Sequence, residues 1–250
     1  MSEIKIMEPG IFPGEEIIAG FTLSDYEGFP PDGFSIMPTR FDSEPIYLEN
    51  ANQLALQIGL PADRLQFQLQ THGKEVREIT ATGRPREHDG MTTNKPGIAL
   101  CSTVADCAAI LLFDPVNKAI ASLHSGWKGT KQNILGEGIR RMAERYGSRP
   151  GDLLAYVSPA ACGEDYEVGE DVASLFPEST KPLGGGKYLF DNRAEILRQA
   201  LAAGMVRENM EISDECTISD KRFHSFRRDG ELSGRMVAFI ALRPEPIDVH

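Results

Sequence analysis

Residues 108–113 form an unbroken apolar run, closed by Asp114-Pro115-Val116-Asn117 and followed by a second apolar stretch that ends at His124. Apolar runs of this length between turn residues read as buried strands, and the short connection makes them a hairpin. Residues 65–70 instead alternate apolar residues with glutamine, which predicts a strand with one buried face. Leu48, Ala51, Ala55 and Ile58 recur at helical spacing, with Gly59 as the stop and Pro61 beyond it. A second helix is marked by Ile134/Leu135, Gly138/Ile139, Met142/Ala143 and Tyr146, capped by Thr130 or Asn133. Strands are expected at 153–157 and 236–242, a short helix at 168–176, and a stronger helix at 191–203 capped by Asp191. Up to residue 42 the chain reads as short strands and turns, Pro30-Pro31-Asp32-Gly33 being a turn and Gly184-Gly185-Gly186 a loop. Alternating strands and helices predict an α/β (α+β) fold: mixed β-sheets packed with helices as a layered sandwich, a single domain over residues 1–250.

Composition narrows the function classes. A chain of 250 residues with 41% hydrophobic and 25% charged positions is long enough for a full core. Its net charge of −11 argues against non-specific contact with nucleic acid or an anionic membrane, while leaving room for a small anion in a local basic pocket. No stretch reaches the ~20 apolar residues of a membrane span. The first ten residues lack the pattern of a signal peptide, and the four cysteines (Cys101, Cys107, Cys162, Cys216) form no CxxC pair. A cytoplasmic protein with reduced thiols is expected.

Three segments carry candidate chemistry: Gln70-Thr71-His72-Gly73, Ala105-Asp106-Cys107, and the run from His124 to Thr130. Each offers one soft or borderline ligand at a predicted strand end. Hairpin pairing sets Cys107 and His124 about one strand spacing (~5 Å) apart. His72 shares the parity of the glutamines, so continued strand geometry would aim it away from Leu65, Phe67 and Leu69. Three protein ligands with an open fourth position are usual for catalytic zinc. Taken singly, each of these residues is more often a structural histidine or a core cysteine than a ligand; their shared position at strand ends and the glycines beside two of them favour the ligand reading. Lys128, beside glycines at a helix start, and the pair Arg227-Arg228 offer themselves to an anion. The other histidines, His88, His224 and His250, have weaker contexts, and Trp127 suits either base stacking or core filling.

In order along the chain, QTHGKEV, CSTVADCAAILLFDP, ASLHSGWKGT, SPAACGEDYEVGEDV and CTISDKRFHSFRRDGELSGR resemble the laccase-domain family, long labelled multicopper polyphenol oxidase or YfiH-like. The ADC and HxGWxG elements carry most of the specificity, the latter reading His124-Ser125-Gly126-Trp127-Lys128-Gly129. The resemblance implies a cytoplasmic purine nucleoside phosphorylase with Zn2+ held by His72, Cys107 and His124. It also implies adenosine deaminase and methylthioadenosine phosphorylase activities. Substrates would be small purine nucleosides and phosphate, with no nucleic-acid or membrane partner, and the protein a monomer or homodimer. Arg40, Lys128, Arg227 and Arg228 are then candidates for phosphate, and Asp106 for ligand orientation or proton transfer. The chain departs from the family pattern after Thr39-Arg40, where Phe41-Asp42-Ser43 replaces a glycine pair. It also departs at Ser158-Pro159-Ala160-Ala161-Cys162-Gly163 and at His224, where an aromatic residue is common.

Five histidines with no HxH pair cannot build a four-copper oxidase, although Cu2+ competes well for a His₂Cys site and a copper-binding polyphenol oxidase stays as an alternative. A cysteine hydrolase or amidase, with Cys107 as nucleophile and His124 as base, uses the same hairpin geometry. A structural zinc module is the third alternative, and it requires a fourth protein ligand such as His224 or Cys162.

Overall fold

The computed structural model describes residues 2–244, so His250 lies outside the described residues. Strands β1 (Ile6–Met7) and β2 (Ile17–Thr22) precede helix α1 (Pro45–Gln57). Then come β3 (Leu65–Phe67), β4 (Val76–Glu78), β5 (Gly90–Thr93), β6 (Ala99–Val104), β7 (Ala108–Asp114) and β8 (Ala119–Ser125). Helices α2 (Trp127–Lys131) and α3 (Ile134–Tyr146) lead to β9 (Leu154–Val157), β10 (Glu167–Gly169) and α4 (Glu170–Ala173). The chain continues through β11 (Thr180–Gly184), β12 (Lys187–Phe190), α5 (Asn192–Ala202), β13 (Met210–Ile212), α6 (Phe226–Asp229) and β14 (Met236–Leu242).

Two large mixed sheets, ordered β1-β2-β14-β6-β3 and β13-β9-β7-β8-β5-β4, stack face to face, and β10-β12-β11 forms a small third sheet. The period-2 alternation of side chains explains why β7 is apolar throughout. Ala109, Leu111 and Phe113 pack against Leu100, Ala238 and Ile240 of the facing sheet. Ala108, Ile110 and Leu112 pack on the other side against Ile134, Leu135 and Met142 of α3 and Ile196 of α5. Strand β14 behaves likewise, turning Val237, Phe239 and Ala241 toward Ala51, Leu54 and Ala55 of α1. The layers therefore run helix, sheet, sheet, helix, with the β7–β8 hairpin in an inner layer. No helix among the described residues is long and apolar enough to cross a membrane.

Several expectations need correction. In α1 the buried positions are Asn50, Ala51, Leu54 and Ala55, while Leu48 faces solvent. Strand β3 stops at Phe67, and Gln66 and Gln68 are buried rather than on a solvent face. Gln68 donates to Ser102 Oγ and meets His88 Nδ1, and Ser102 Oγ bonds Ser122 Oγ across the two sheets. The alternation thus marks a buried polar chain, which is stable because its members satisfy one another. Burial holds the His88 imidazole down to about 4, so it is neutral. The segment 168–176 begins as β10 and is helical only over α4, and the triple glycine is the turn of the β11–β12 hairpin. Asn133, at φ 56°, separates α2 from α3 and caps α3 by accepting from Gly136 N. Cys162 and Cys216 are joined as a disulfide, so the thiols are not all reduced.

Candidate metal centre

The β7–β8 register pairs Ala108 with Ser125 and Ala109 with His124, which sets Cys107 diagonally across from His124 at the hairpin's open end. Gly126 follows directly. A Cβ on it would lie 2.7 Å from Cys107 Sγ and 3.3 Å from His72 Cδ2, closer than atoms can approach without displacement. Glycine is required there by the ligands it lies beneath. Gly126→Ala is expected to keep the fold yet weaken metal binding about 10-fold or more, as a displaced ligand does; chelator competition on the purified variant measures it.

His72 arrives by a different route from the one its strand parity suggested. Its φ of 61° breaks the extended geometry, so parity no longer governs its direction. A buried carboxylate shapes the turn instead. Asp89 Oδ2 accepts from Thr71 N (3.1 Å), Thr71 Oγ1 (2.9 Å) and Gly73 N (2.7 Å), and Oδ1 from His72 N (2.9 Å). The same Oδ1 lies 2.8 Å from His124 Nδ1, and the Asp89 backbone oxygen accepts from His124 N at 2.7 Å. Asp89 immediately precedes β5, which pairs with β8, so sheet pairing delivers it to His124.

The ligand atoms of His72, Cys107 and His124 all lie within 4.8 Å of one another, and the two imidazoles are edge-to-face at 4.9 Å. His72 is exposed, Cys107 half-buried and His124 buried. With His124 Nδ1 on the carboxylate, Nε2 is left for a metal, the usual carboxylate–histidine–metal order. Neither proposed fourth ligand joins them. His224 is buried with Nε2 on Phe34 O and Nδ1 on Tyr26 Oη, and Cys162 is bonded to Cys216. The donor chemistry fits a borderline metal such as zinc.

Electrostatics agree. Burial pushes the Cys107 thiol up, but His124 and His72 outweigh it and bring it down to about 6. Burial pushes His124 down, but the Cys107 thiolate and Asp89 raise it to about 9. Asp89 stays well below the usual carboxylate range despite burial, through His124 and the turn's N–H groups. Between those values the metal-free pair is a thiolate and an imidazolium, holding one proton that a metal must displace from His124. Metal affinity is therefore expected to rise about tenfold per pH unit from 6 to 9, with about one proton released. Calorimetry in buffers of different ionisation enthalpy reads that proton count, and a pH-independent affinity contradicts it.

A cavity of about 270 Å³ opens on the trio, and Gln70, Arg40 and Arg235 are among its walls. Of the residues expected to bind phosphate, Arg40 alone lines this cavity. Lys128 is exposed and lies over the ring of Trp127, which packs beside the β10–β12 cluster. Arg227 stacks on Tyr166. Arg228 is directed to structure, donating to the carbonyls of Thr217, Ile218 and Phe223 and pairing with Asp229. Asp106 accepts from Thr217 Oγ1 (2.7 Å) and Arg227 N (2.6 Å), pinning the late segment behind Cys107 rather than facing the cavity. Asp89 and Arg235 escaped sequence reasoning. His88-Asp89-Gly90, an acid between histidine and glycine before a strand, was the only available signal for the first.

A family model described as multi-copper polyphenol oxidoreductase laccase matches residues 30–243. A purine nucleoside phosphorylase of Deinococcus radiodurans is 34% identical over 219 residues, covering 85% of this chain and 83% of its own. The purine nucleoside phosphorylase YlmD of Bacillus subtilis is 30% identical, covering 92% and 90%. Among solved structures, YlmD from Geobacillus stearothermophilus superposes with a TM-score of 0.87 at 26% identity, covering 94% of each chain. A Bacillus licheniformis hypothetical protein YfiH gives 0.84 at 26% identity, covering 91% of this chain and 93% of that one.

Proposed function

Because the chain belongs to the multi-copper polyphenol oxidoreductase laccase family, we propose that it is a zinc-dependent purine nucleoside phosphorylase, with His72, Cys107 and His124 as the metal ligands and adenosine deamination as a second activity. The observation that carries this reading is the convergence of those three donors on a cavity that also presents Arg40 and Arg235. Relatives named purine nucleoside phosphorylase at 30–34% identity support the reaction class.

Phosphorolysis breaks the glycosidic bond between the purine and ribose C1′ and forms a C1′–O bond to phosphate, while the departing base takes up a proton. Bound zinc would supply Lewis-acid polarisation of a substrate oxygen. The chain's own residues position the anion. Arg235 Nη1 donates to Ser233 O and Gly234 O, each at 2.8 Å, and its guanidinium lies over Phe226. Nε and Nη2 have no acceptor among the described residues, which leaves that edge of the fork for a bidentate phosphate. Gln70 is tied to Thr103 through both ends of its amide and stiffens the wall. Asp89 holds His124 in one tautomer and fixes the turn that carries His72. Arg235→Met is expected to raise KM for phosphate about 10-fold or more while changing KM for nucleoside little, measured by varying each substrate in turn.

The deciding experiment incubates metal-analysed protein with adenosine, with and without phosphate. Adenine formed only with phosphate supports phosphorolysis, inosine supports deamination, and neither product rejects the reading. A second reading has its own observation, because Cys107, His124 and Asp89 also stand in the order nucleophile, base and orienting carboxylate. That cysteine hydrolase predicts metal-free protein, active, and inactivated by iodoacetamide at Cys107. Stoichiometric zinc that protects the thiol rejects it.

A further inference from the structure

The metal-side cavity, at about 270 Å³, is small for a complete nucleoside and phosphate, since ligand sites usually span ~300–1,000 Å³. A second chamber of about 380 Å³ adjoins it, and Met37, Arg40, Glu231 and Ser233 line both, so the two abut along that shared wall. Their charges differ. The metal-side chamber has Arg235 as well as the shared Arg40, whereas the adjoining one adds Asp32 and Glu44 and no further cation. An anion is favoured on the first side, and a neutral, aromatic group on the second.

Asn50 lines the adjoining chamber although it is only 6% exposed. Its Nδ2 donates to Ser35 O at 2.8 Å, and its Oδ1 accepts no hydrogen bond among the described residues. That oxygen is also not sealed in protein, because the only fully buried unpartnered side-chain atoms among the described residues are Arg141 Nε and Ser148 Oγ. A buried amide with a free acceptor at a cavity wall awaits a donor from a ligand. Tyr47 lies one helical turn earlier on α1, on the same face, and lines the same chamber with Phe29. Aromatic faces of this kind stack on bases. Ser35, which holds Asn50, also accepts Arg235 N on its Oγ at 2.9 Å, so one short segment positions the reader of each chamber.

We propose that the adjoining chamber is the purine-base subsite and that Asn50 Oδ1 selects bases carrying an exocyclic amino group, with the phosphate held on the arginine side. The inference rests on the phosphorylase reading. It also fixes the pose: the base points away from the metal during phosphorolysis, so deamination requires the nucleoside to bind in the reverse sense.

The test compares adenosine with purine riboside, which lacks the amino group, in wild type and Asn50→Leu, with folding checked by circular dichroism and Tm. The ratio of kcat/KM for adenosine to that for purine riboside is expected to fall about 10–100-fold in the variant. Tyr47→Leu should weaken both substrates alike. Asn50→Ala, which withdraws the acceptor without added bulk, replaces the leucine variant if that does not fold. An unchanged ratio in a folded variant overturns the proposal. If wild type cleaves neither nucleoside with phosphate, the phosphorylase reading has failed, and equilibrium dialysis with adenine and unsubstituted purine judges the subsite alone. Adenine-selective binding lost on substitution at Asn50 supports it, and equal binding of the two bases by wild type overturns it.

Discussion

Cys107→Ala is expected to lose its stoichiometric metal and to fall on the order of 10³-fold in kcat/KM, while remaining folded. Cys107 precedes β7 rather than lying within it and, half-buried, packs only at the margin of the inter-sheet core, so truncation leaves a small gap at the hairpin mouth. Two donors remain, His72 and His124, too few for the usual tetrahedral site with one open position. The thiolate is also the chief influence holding His124 protonated in the metal-free protein, so its removal lowers the His124 pKa. An NMR titration of that ring would report this directly, independent of activity. Metal analysis, steady-state kinetics and a melting curve complete the test. A variant that keeps both metal and activity would sink the assignment of the trio.

Asp89→Asn is expected to cost about 10–100-fold in metal affinity or activity, together with roughly 3 kcal/mol of stability. The substitution preserves shape, so the effect comes from replacing an acceptor by a donor. Placed at Oδ1, the new amide meets His72 N and His124 Nδ1; placed at Oδ2, it meets Thr71 and Gly73. Both oxygens are fully engaged, so neither orientation satisfies the turn. For a chain of this length the loss corresponds to a Tm lower by about 6–12 °C. Saturating zinc should restore part of the activity, because metal binding draws the ligands together. A Tm and zinc affinity equal to wild type would show that the carboxylate is dispensable.

The parts of the fold legible in the sequence are those where one physical signal dominates. The β7–β8 hairpin, β14 and α5 were visible because apolar runs meet unambiguous turns and an aspartate cap. Cys107 and His124 followed from pairing geometry alone. His72 was identified for a reason the structure replaces, since its turn is set by Asp89, 17 residues away, rather than by strand parity. That carboxylate serves His124 from a distance of 35 residues, and no local pattern encodes such a contact. Arg235 was hidden in the same way, beside an apolar strand and far along the chain from the three candidate ligands. Gln66 and Gln68 misled because alternation reports polarity, and here the polar partners were inside the protein.

The hairpin that supplies two metal ligands is also an inner layer of the sandwich, covered on both faces. Mutational freedom is thereby divided unequally around the cavity. The strand residues 108–113 and 119–124 answer to the core and, through the ligands at their open end, to the metal, so changes within them register as instability before they register as altered chemistry. The walls built from Met37–Arg40 and Glu231–Arg235 lie outside that double constraint. Libraries aimed at new substrates should be placed at the exposed positions of those segments, Thr39, Arg40, Glu231 and Leu232, and survivors from them are expected to melt near the parent temperature.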